Sequence, residues 1–515
     1  MEKKLLFSNK FWLFILIFSS TLSADAQFSL VGQVRTRTEV RDGLGNLSPI
    51  DAKAAAFTSQ RTRLTFGYKW DRVVFTTAIQ DVRVWGQDAS TISNADGNRL
   101  MMHEANAELI LANSADTTIK FKPIQNLSLK IGRQELVYDD VRLLGNLDWL
   151  QQARRFDAAI FKAQHLGWAL DFGGGFNQNT DGFGVTGTNY TAGNAPASAL
   201  SNKNVSLAIP LGFIPTAGKG GALVLATPLS TNGQNQQFKS FQMAYVTRKF
   251  KQTKLSALFF KDDFSKYVSD SIGNATQGFV YGRRYNQTGV NSRLTYGLMA
   301  NSQFGNASAM FGKISAQAWF YGQSGKDRDG LVIKNAYHYG AFAMMQKGKW
   351  SFGPGYEVLT GNNALKAVAG QTSKFDPLYG TPHKHWGYMD YFYVGTGSPA
   401  GGLQDAYLKL KYVNKVFTFT ADGHYFSLES ATLNKLDGNK LLDKKLGTEI
   451  DFVGQVTMNK FTTLELGYSI MKGSNSLEYV KSSTIDKTKK TGNWAYLMIN
   501  IRPDFFYTKP IAIKQ

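Results

Sequence analysis

Four stretches of the chain alternate charged residues with apolar or neutral ones. In the first, Leu30, Val34 and Val40 share one parity, and Arg35, Arg37, Glu39 and Arg41 take the other. In the second, Arg61, Arg63 and Lys69 oppose Leu64, Phe66, Tyr68 and Trp70. Further on, Glu449 and Asp451 alternate with Ile450 and Phe452, and Glu465, Gly467 and Ser469 with Leu464, Leu466, Tyr468 and Ile470. Successive side chains of a strand point to opposite faces, so each stretch is a strand with one charged face. A soluble sandwich would turn that face to water and pack the apolar one inward. A membrane barrel inverts this, with the apolar face in lipid and the charge in the bore.

The start of the chain favours the barrel. Lys3 and Lys4 precede an apolar run over 11–18, and Ala24, Asp25 and Ala26 make a small-residue exit. Residues 1–26 therefore read as a secretory signal peptide, with a mature start at Gln27. The run is shorter than the roughly 20 residues of a spanning helix. With a mean hydropathy of −0.25, no later window crosses a bilayer as a helix either. An exported chain without such helices is a soluble domain or a closed barrel.

From Gln27 onward eighteen alternating segments follow one another, from 28–41 and 57–70 through 127–136 and 307–321 to 492–502, the count resting on alternation and turn spacing. No composition break divides them, so 27–515 is expected to be one all-β, antiparallel, up-and-down transmembrane barrel. Barrels of that strand number leave a water-filled lumen. Tight connections at 69–72, 250–254, 347–350, 412–416 and 459–461 contrast with polar or Gly-rich ones at 178–238, 262–290 and 360–402, the wiring of outer-membrane barrels. The stretch 180–237 is unusual because 207–229 is rich in apolar residues. It is an inward plug, a loop hugging the periphery or an exposed segment.

Composition narrows the chemistry. The absence of cysteine removes disulfide scaffolds, thiol catalysis and cysteine-bound metals. The 50 Gly, 36 Phe, 23 Tyr and 9 Trp suit short strands, tight turns and interfacial aromatic girdles. A formal charge of +20 draws anions. No nucleic-acid-binding spacing accompanies it, while lipopolysaccharide at the rim competes as an explanation. If the charged faces line a lumen, Arg35, Arg37, Arg61 and Arg63 form an anion-attracting bank, and a guanidinium fork suits the carboxylate of a uronate sugar. Glu104, Glu108, Glu135, Asp157, Glu449, Asp451 and Glu465 fall on the same inner faces, where they would hold the arginines by pairing.

Several patterns carry less. Gly182, Gly184 and Gly187 match dinucleotide glycine spacing without a strand before or a helix after. His383 and His385 lack a third metal ligand, and Asp327, Asp329 and Gly330 lack the remaining ligands of a calcium loop. His424 with Asp422 is at most half of a hydrolytic site, with no serine motif beside it. No cofactor, metal or catalytic activity is expected.

The run from Gly132, Arg133, Gln134 and Glu135 through Leu136, Val137, Tyr138, Asp139, Asp140, Val141, Arg142, Leu143 and Leu144 to Gly145, then Trp149, Gln152, Arg155, Phe156 and Asp157, resembles the central motif of the alginate-export porin family. Tyr356 to Asn362, Phe375 to Lys384, and Leu403 to Asp405 extend the resemblance. It implies an eighteen-stranded outer-membrane barrel, with a lean toward a monomer, whose arginine-lined pore passes an anionic polysaccharide such as alginate, or smaller anions. By motif, Arg133, Arg142 and Arg155 would line the pore, with Glu135, Asp139 and Asp157 as acid partners. Outer-membrane lipid, lipopolysaccharide and periplasmic export proteins are the partners implied. A nutrient-uptake anion or sugar porin is the alternative, and a barrel enzyme a more distant one.

Overall fold

Each of the eighteen expected segments is a strand, and the last pairs with the first. The computed structural model describes residues 27–86, 100–115, 124–179, 181, 190–192, 196–215, 237–285, 288–395 and 397–506. The signal-peptide segment, Gly182, Gly184, Gly187 and positions 216–229 of the apolar stretch lie outside the described residues. The barrel strands begin with β1 Gln27–Asp42, β2 Ala55–Trp70, β3 Val73–Val84, β4 Leu100–Asn113, β5 Asn126–Gln134 and β6 Phe156–His165. They continue with β7 Trp168–Phe176, β8 Ser240–Phe250, β9 Thr253–Ser265, β10 Val290–Phe304, β11 Lys313–Lys326 and β12 Val332–Lys347. The last six are β13 Trp350–Leu359, β14 Leu403–Val413, β15 Phe417–Ser427, β16 Lys445–Asn459, β17 Thr462–Gly473 and β18 Thr491–Ile501. Every strand pairs antiparallel with its chain neighbours, and β1 against β18 closes the wall from Val34↔Ile501 to Asp42↔Asn493.

The parity in the sequence is the parity of the wall. Arg35, Arg37, Glu39, Arg61, Glu449 and Asp451 are buried inside, while Val34, Val40, Leu64, Ile450 and Leu466 stand exposed on the outer surface. Leu466 is 61% exposed, which fits contact with acyl chains and not with water. Trp70, Trp168, Phe250, Phe304 and Trp350 circle the short-turn rim, and Trp85, Phe176, Tyr356 and Tyr425 lie toward the long-loop rim. These are the two aromatic belts of a bilayer-spanning barrel.

Three boundaries differ from the sequence reading. The segment expected over 307–321 begins at Lys313, because Gly305 and Gly312 take left-handed backbone and turn the chain between them. β5 stops at Gln134, so Glu135 and Leu136 enter the following loop. The long 262–290 connection is partly strand: β9 runs to Ser265, and a hairpin of Val268–Asn274 and Gly278–Arg284 projects beyond the wall, paired with Phe213–Pro215.

The hydrophobic core lies within the bore. Loops 135–155 and 360–402 fold inward from the long-loop rim, bringing Leu136, Leu143, Leu144, Phe375, Leu378, Tyr379, Trp386, Met389, Tyr391, Phe392 and Tyr393 against inward strand residues such as Phe241, Phe260, Trp319 and Trp494. A wall of eighteen strands is too wide for its own side chains to fill. The lumen expected to be open to water is therefore packed on its long-loop half. The two loops also bond to each other, with Tyr379 N donating to Leu143 O at 2.9 Å and Thr381 N to Val141 O at 2.8 Å. Gly380 permits this approach, since a Cβ there would sit 2.0 Å from Arg142 O.

Wall packing is tight where β17 meets β18. A Cβ on Gly467 would lie 1.9 Å from the ring of Tyr496, whose hydroxyl donates to Glu465 at 2.8 Å. Gly467→Leu should displace that ring at a cost of about 1–3 kcal/mol or more. The thermal midpoint of the folded band on unheated gels should fall, and an unchanged midpoint would refute the packing.

Candidate anion site in the barrel lumen

The inward arginines of β1 and β2 grip the tip of the 135–155 loop. Arg35 Nε donates to Gln151 Oε1 at 3.0 Å, and its Nη2 reaches the carbonyls of Trp149 and Leu150 at 3.3 and 3.2 Å. Arg37 Nη1 donates to Trp149 O at 2.8 Å while its Nε pairs with Glu39 at 2.9 Å. Arg61 holds Asp148 at 2.8 Å and Gln151 O at 3.2 Å. Arg63 Nε donates to Gln80 Oε1 at 2.8 Å, its Nη1 stands 3.8 Å from Asp148, and its Nη2 is buried without a hydrogen bond. Burial pushes the Asp148 carboxyl up, but Arg61, Arg35 and Arg63 outweigh it and hold it below the usual carboxylate range.

Trp149 is clamped on both faces at that tip. The Arg37 guanidinium carbon lies 4.2 Å from its ring centre, His383 stacks 4.3 Å away, and Trp494 and Tyr496 meet it edge-on. A cavity of about 240 Å³ lies here, bordered by Arg37, Arg41, Trp149, His383, Asp390 and Trp494.

Arg142 is a second node. Its guanidinium bonds Asp140 at 2.7 and 2.9 Å and Glu357 at 3.0 Å, and lies 3.5 Å from the Trp319 ring centre. Burial raises the Asp140 carboxyl, yet the Arg142 charge overrides it and holds it well below the usual range. Burial, with Arg142 adding to it, pushes the nearby His385 imidazole down to about 3, so His385 is neutral.

Arg133 and Arg155 are placed differently. With Arg154, Gln152, Asp157, Asn177 and Gln237 they wall a cavity of about 430 Å³, with Phe156, Phe238 and Tyr379 as its apolar side. Arg133 makes a two-pronged pair with Asp157, both bonds 2.8 Å, in which both side chains stay partly exposed. Arg155 makes no hydrogen bond or ion pair among the described residues. Burial and the neighbouring Arg133 charge lower its hold on its proton, though a guanidinium remains charged. Arg154 Nη1 donates to Gly380 O at 2.9 Å, so the inward 360–402 loop contributes to the wall. Of the acid partners implied by the family motif, Asp157 alone sits on one of these arginines.

The remaining acids serve other contacts. Glu135 joins His103 and Asn146, both at 2.8 Å, and Asp139 accepts from Tyr245 and Ser256 at 2.7 and 2.8 Å. Glu108 accepts from Ser128 at 2.6 Å, and Glu104 is half-buried on β4. Glu449 and Asp451 receive the Met389 and Tyr388 amides, and Glu465 takes Tyr496. His424 pairs with Asp405 at 2.9 Å, not with Asp422, which holds Lys409. Sequence reasoning missed Asp140, Asp148, Gln151, Arg154 and Glu357. Four of these lie in a loop without alternation, where parity is silent.

The 360–402 loop is pinned to the wall at several points. Tyr379 OH donates to Asp262 at 2.9 Å, Gln323 brackets Asp376 through bonds of 2.7 and 2.9 Å, and Lys481 Nζ donates to Tyr391 O at 2.7 Å. Lys481 lies on α1 (Asn475–Ser482), the helix of the β17–β18 loop.

The closed antiparallel wall, its lipid-facing apolar residues and its aromatic belts define an outer-membrane β-barrel with the porin fold. The chain is similar in fold to Acinetobacter baumannii OccAB2, with a TM-score of 0.53 at 13% identity over 93% of this chain and 98% of that one. Pseudomonas aeruginosa OpdK, solved with vanillate, aligns with a TM-score of 0.52 at 10% identity over 93% and 99%. OccK11 (OpdR) of the same organism aligns with 0.51 at 10% over 94% and 97%. Residues 27–173 match the alginate export family, a span that contains the Gly132–Asp157 motif but not the segments around Tyr356 and Phe375. No curated protein matches the sequence.

Two outcomes test this arrangement. Asp148→Ala leaves three guanidiniums facing one another across the tip of the 135–155 loop. Amides 146–152 should then exchange hydrogen faster, and unchanged exchange would remove Asp148 as the anchor. Burial holds the Lys481 amine at about 7, below the roughly 10.4 of a free lysine. The unfolded chain thus binds more protons between those values, and stability should rise with pH across that window and be flat below it. Lys481→Met should abolish the rise in thermal midpoint, and a rise that persists would assign it elsewhere.

Proposed function

We propose that the protein is an outer-membrane channel for carboxylate-bearing solutes, uronate sugars or smaller organic anions, and that Arg133, Arg154 and Arg155 form the site where they are selected. The supporting observation is the 430 Å³ cavity, in which three arginines face one carboxylate and an aromatic side. A guanidinium takes a carboxylate through two parallel bonds, while ring faces favour the apolar side of a sugar or an aromatic acid. The Arg133–Asp157 pair is partly exposed, so an incoming carboxylate competes with Asp157 at little desolvation cost and leaves again readily. Arg35, Arg37 and Arg61 act as anchors of the loop that borders this route. In this reading the protein is a conduit and not an enzyme, and its partners are the anionic solute and the lipids around it.

A long polyuronate and a small anion make different demands. The 135–155 and 360–402 loops are folded in and bonded to each other, which suits smaller solutes as the chain stands. The likeness in fold to OpdK, solved with vanillate, favours the same cargo size. Export of alginate-like polymer, suggested by the match over 27–173, requires both loops to withdraw. In planar bilayers Arg133→Ala with Arg155→Ala should shift the reversal potential in a salt gradient toward cations and cut anion permeability by about tenfold, as loss of roughly 1.4 kcal/mol does. An unchanged anion preference would overturn the assignment.

A further inference from the structure

A second polar cavity of about 410 Å³ opens at the long-loop rim, away from the arginine chamber. Its walls come from the top of β12, the first part of the 360–402 loop, and Glu429 with Ser430 beyond β15. The β11–β12 register slips between Gln323↔Ala336 and Gly325↔Ile333, pushing out Lys334 and Asn335, and Asn335 adopts a left-handed φ of 54°. Above β13 the chain makes an eleven-residue excursion, 360–370, and returns at Gln371–Thr372, which pairs parallel with Val332 and Ile333. The cavity lies inside that excursion.

Asn362 and Asn363 are held through their side-chain oxygens. Asn362 Oδ1 accepts Ser373 N at 2.7 Å and Thr372 Oγ1 at 3.0 Å, and Asn363 Oδ1 caps the short turn by accepting Leu365 N at 3.0 Å. Glu429 Oε2 accepts Ser430 Oγ at 2.6 Å and Gly361 N at 3.1 Å, and Thr360 Oγ1 donates to Ser373 O at 2.8 Å. What is left over includes acceptors, on Asn335, Gln371 and Glu429 Oε1, and a set of donors. Among the described residues, Asn362 Nδ2, Asn363 Nδ2, Lys334 Nζ and Lys366 Nζ have no partner. Because each asparagine oxygen is committed to the backbone, each amide NH₂ is fixed in direction before any ligand arrives, which cuts the cost of ordering it. Two lysines against Glu429 leave the cavity positive, and no aromatic side chain lines it.

We propose that this cavity is a binding subsite for an anionic sugar at the outer mouth of the barrel, with Asn362 and Asn363 donating to ring or carboxylate oxygens and Lys334 and Lys366 holding the charge. The sugar carboxylate of a soluble uronate chain and a sugar phosphate of lipopolysaccharide share this chemistry. The aromatic-free wall recognises either by donating to its oxygens. The subsite stands apart from the lumen arginines, so it does not depend on what the channel conducts.

The test uses the full chain in detergent, in an Arg133→Ala, Arg155→Ala background that silences the chamber. The probes are a fluorescently tagged tetrauronate and, separately, purified lipopolysaccharide. Asn363→Asp and Asn362→Asp keep the acceptor oxygen that holds each turn and replace the donor by a negative oxygen, and Lys366→Gln removes a charge. Retained heat-resistant mobility on unheated gels reports folding of each variant. Asn363→Asp with Lys366→Gln should weaken binding of one probe by at least tenfold. Loss for tetrauronate identifies a soluble glycan as the occupant, and loss for lipopolysaccharide alone identifies the lipid sugar. Binding of both probes unchanged in the folded variants would overturn the subsite.

Discussion

A charged inner wall cannot be left facing an apolar filling. β1 and β2 carry Arg35, Arg37 and Arg61 inward, within reach of one another's charge, and burial of such groups is costly unless acceptors meet them. The carbonyls of Trp149, Leu150 and Gln151 with the carboxylate of Asp148 meet that demand. The position of the 135–155 loop follows from this, and with it the shape of the spaces left in the bore.

The same constraint orders the second loop. Once 135–155 is drawn in, its own Arg142 needs carboxylates, and Asp140 and Glu357 provide them while Trp319 covers the guanidinium face. Backbone bonds from Tyr379 and Thr381 to Leu143 and Val141 then fix 360–402 alongside. The aromatic run Tyr391, Phe392 and Tyr393 becomes fully buried in a barrel whose outer surface is equally apolar. The molecule is thus greasy outside, charged along its inner wall and greasy again at the centre. Its polar layer is a cylinder between two hydrophobic ones, and the two lumen cavities lie where the 135–155 loop meets that layer.

Parity is a local property and was legible position by position. That Arg61 and Leu64 take opposite faces follows from spacing alone, as it does for Glu449 and Ile450, and the barrel puts the charged face inside. Where spacing misled, turn chemistry was the reason: the stretch from 307 begins with apolar residues yet Gly305 and Gly312 make it a turn, with Met310 and Phe311 at the short-turn rim. The candidate site was half legible. Arg133 with Asp157 sits on adjacent strands at Arg133↔Asp157, a pairing near in sequence. Glu135 and Asp139 instead leave the wall, and His103 and Tyr245 claim them.

The alternation of charge and grease determined, without any structure, that the chain forms strands and which face of each carries the charge, while the leader-like start and the family motif were needed to say that the sheet closes around it. It could not determine which acid meets which base inside. Those contacts join positions far apart, such as Arg142 with Glu357 across 215 residues and Arg61 with Asp148 across 87. Only the closed wall brings such groups within hydrogen-bond range, and only the inward course of two irregular loops, which carry no periodic signal, decides how much of the bore is left open.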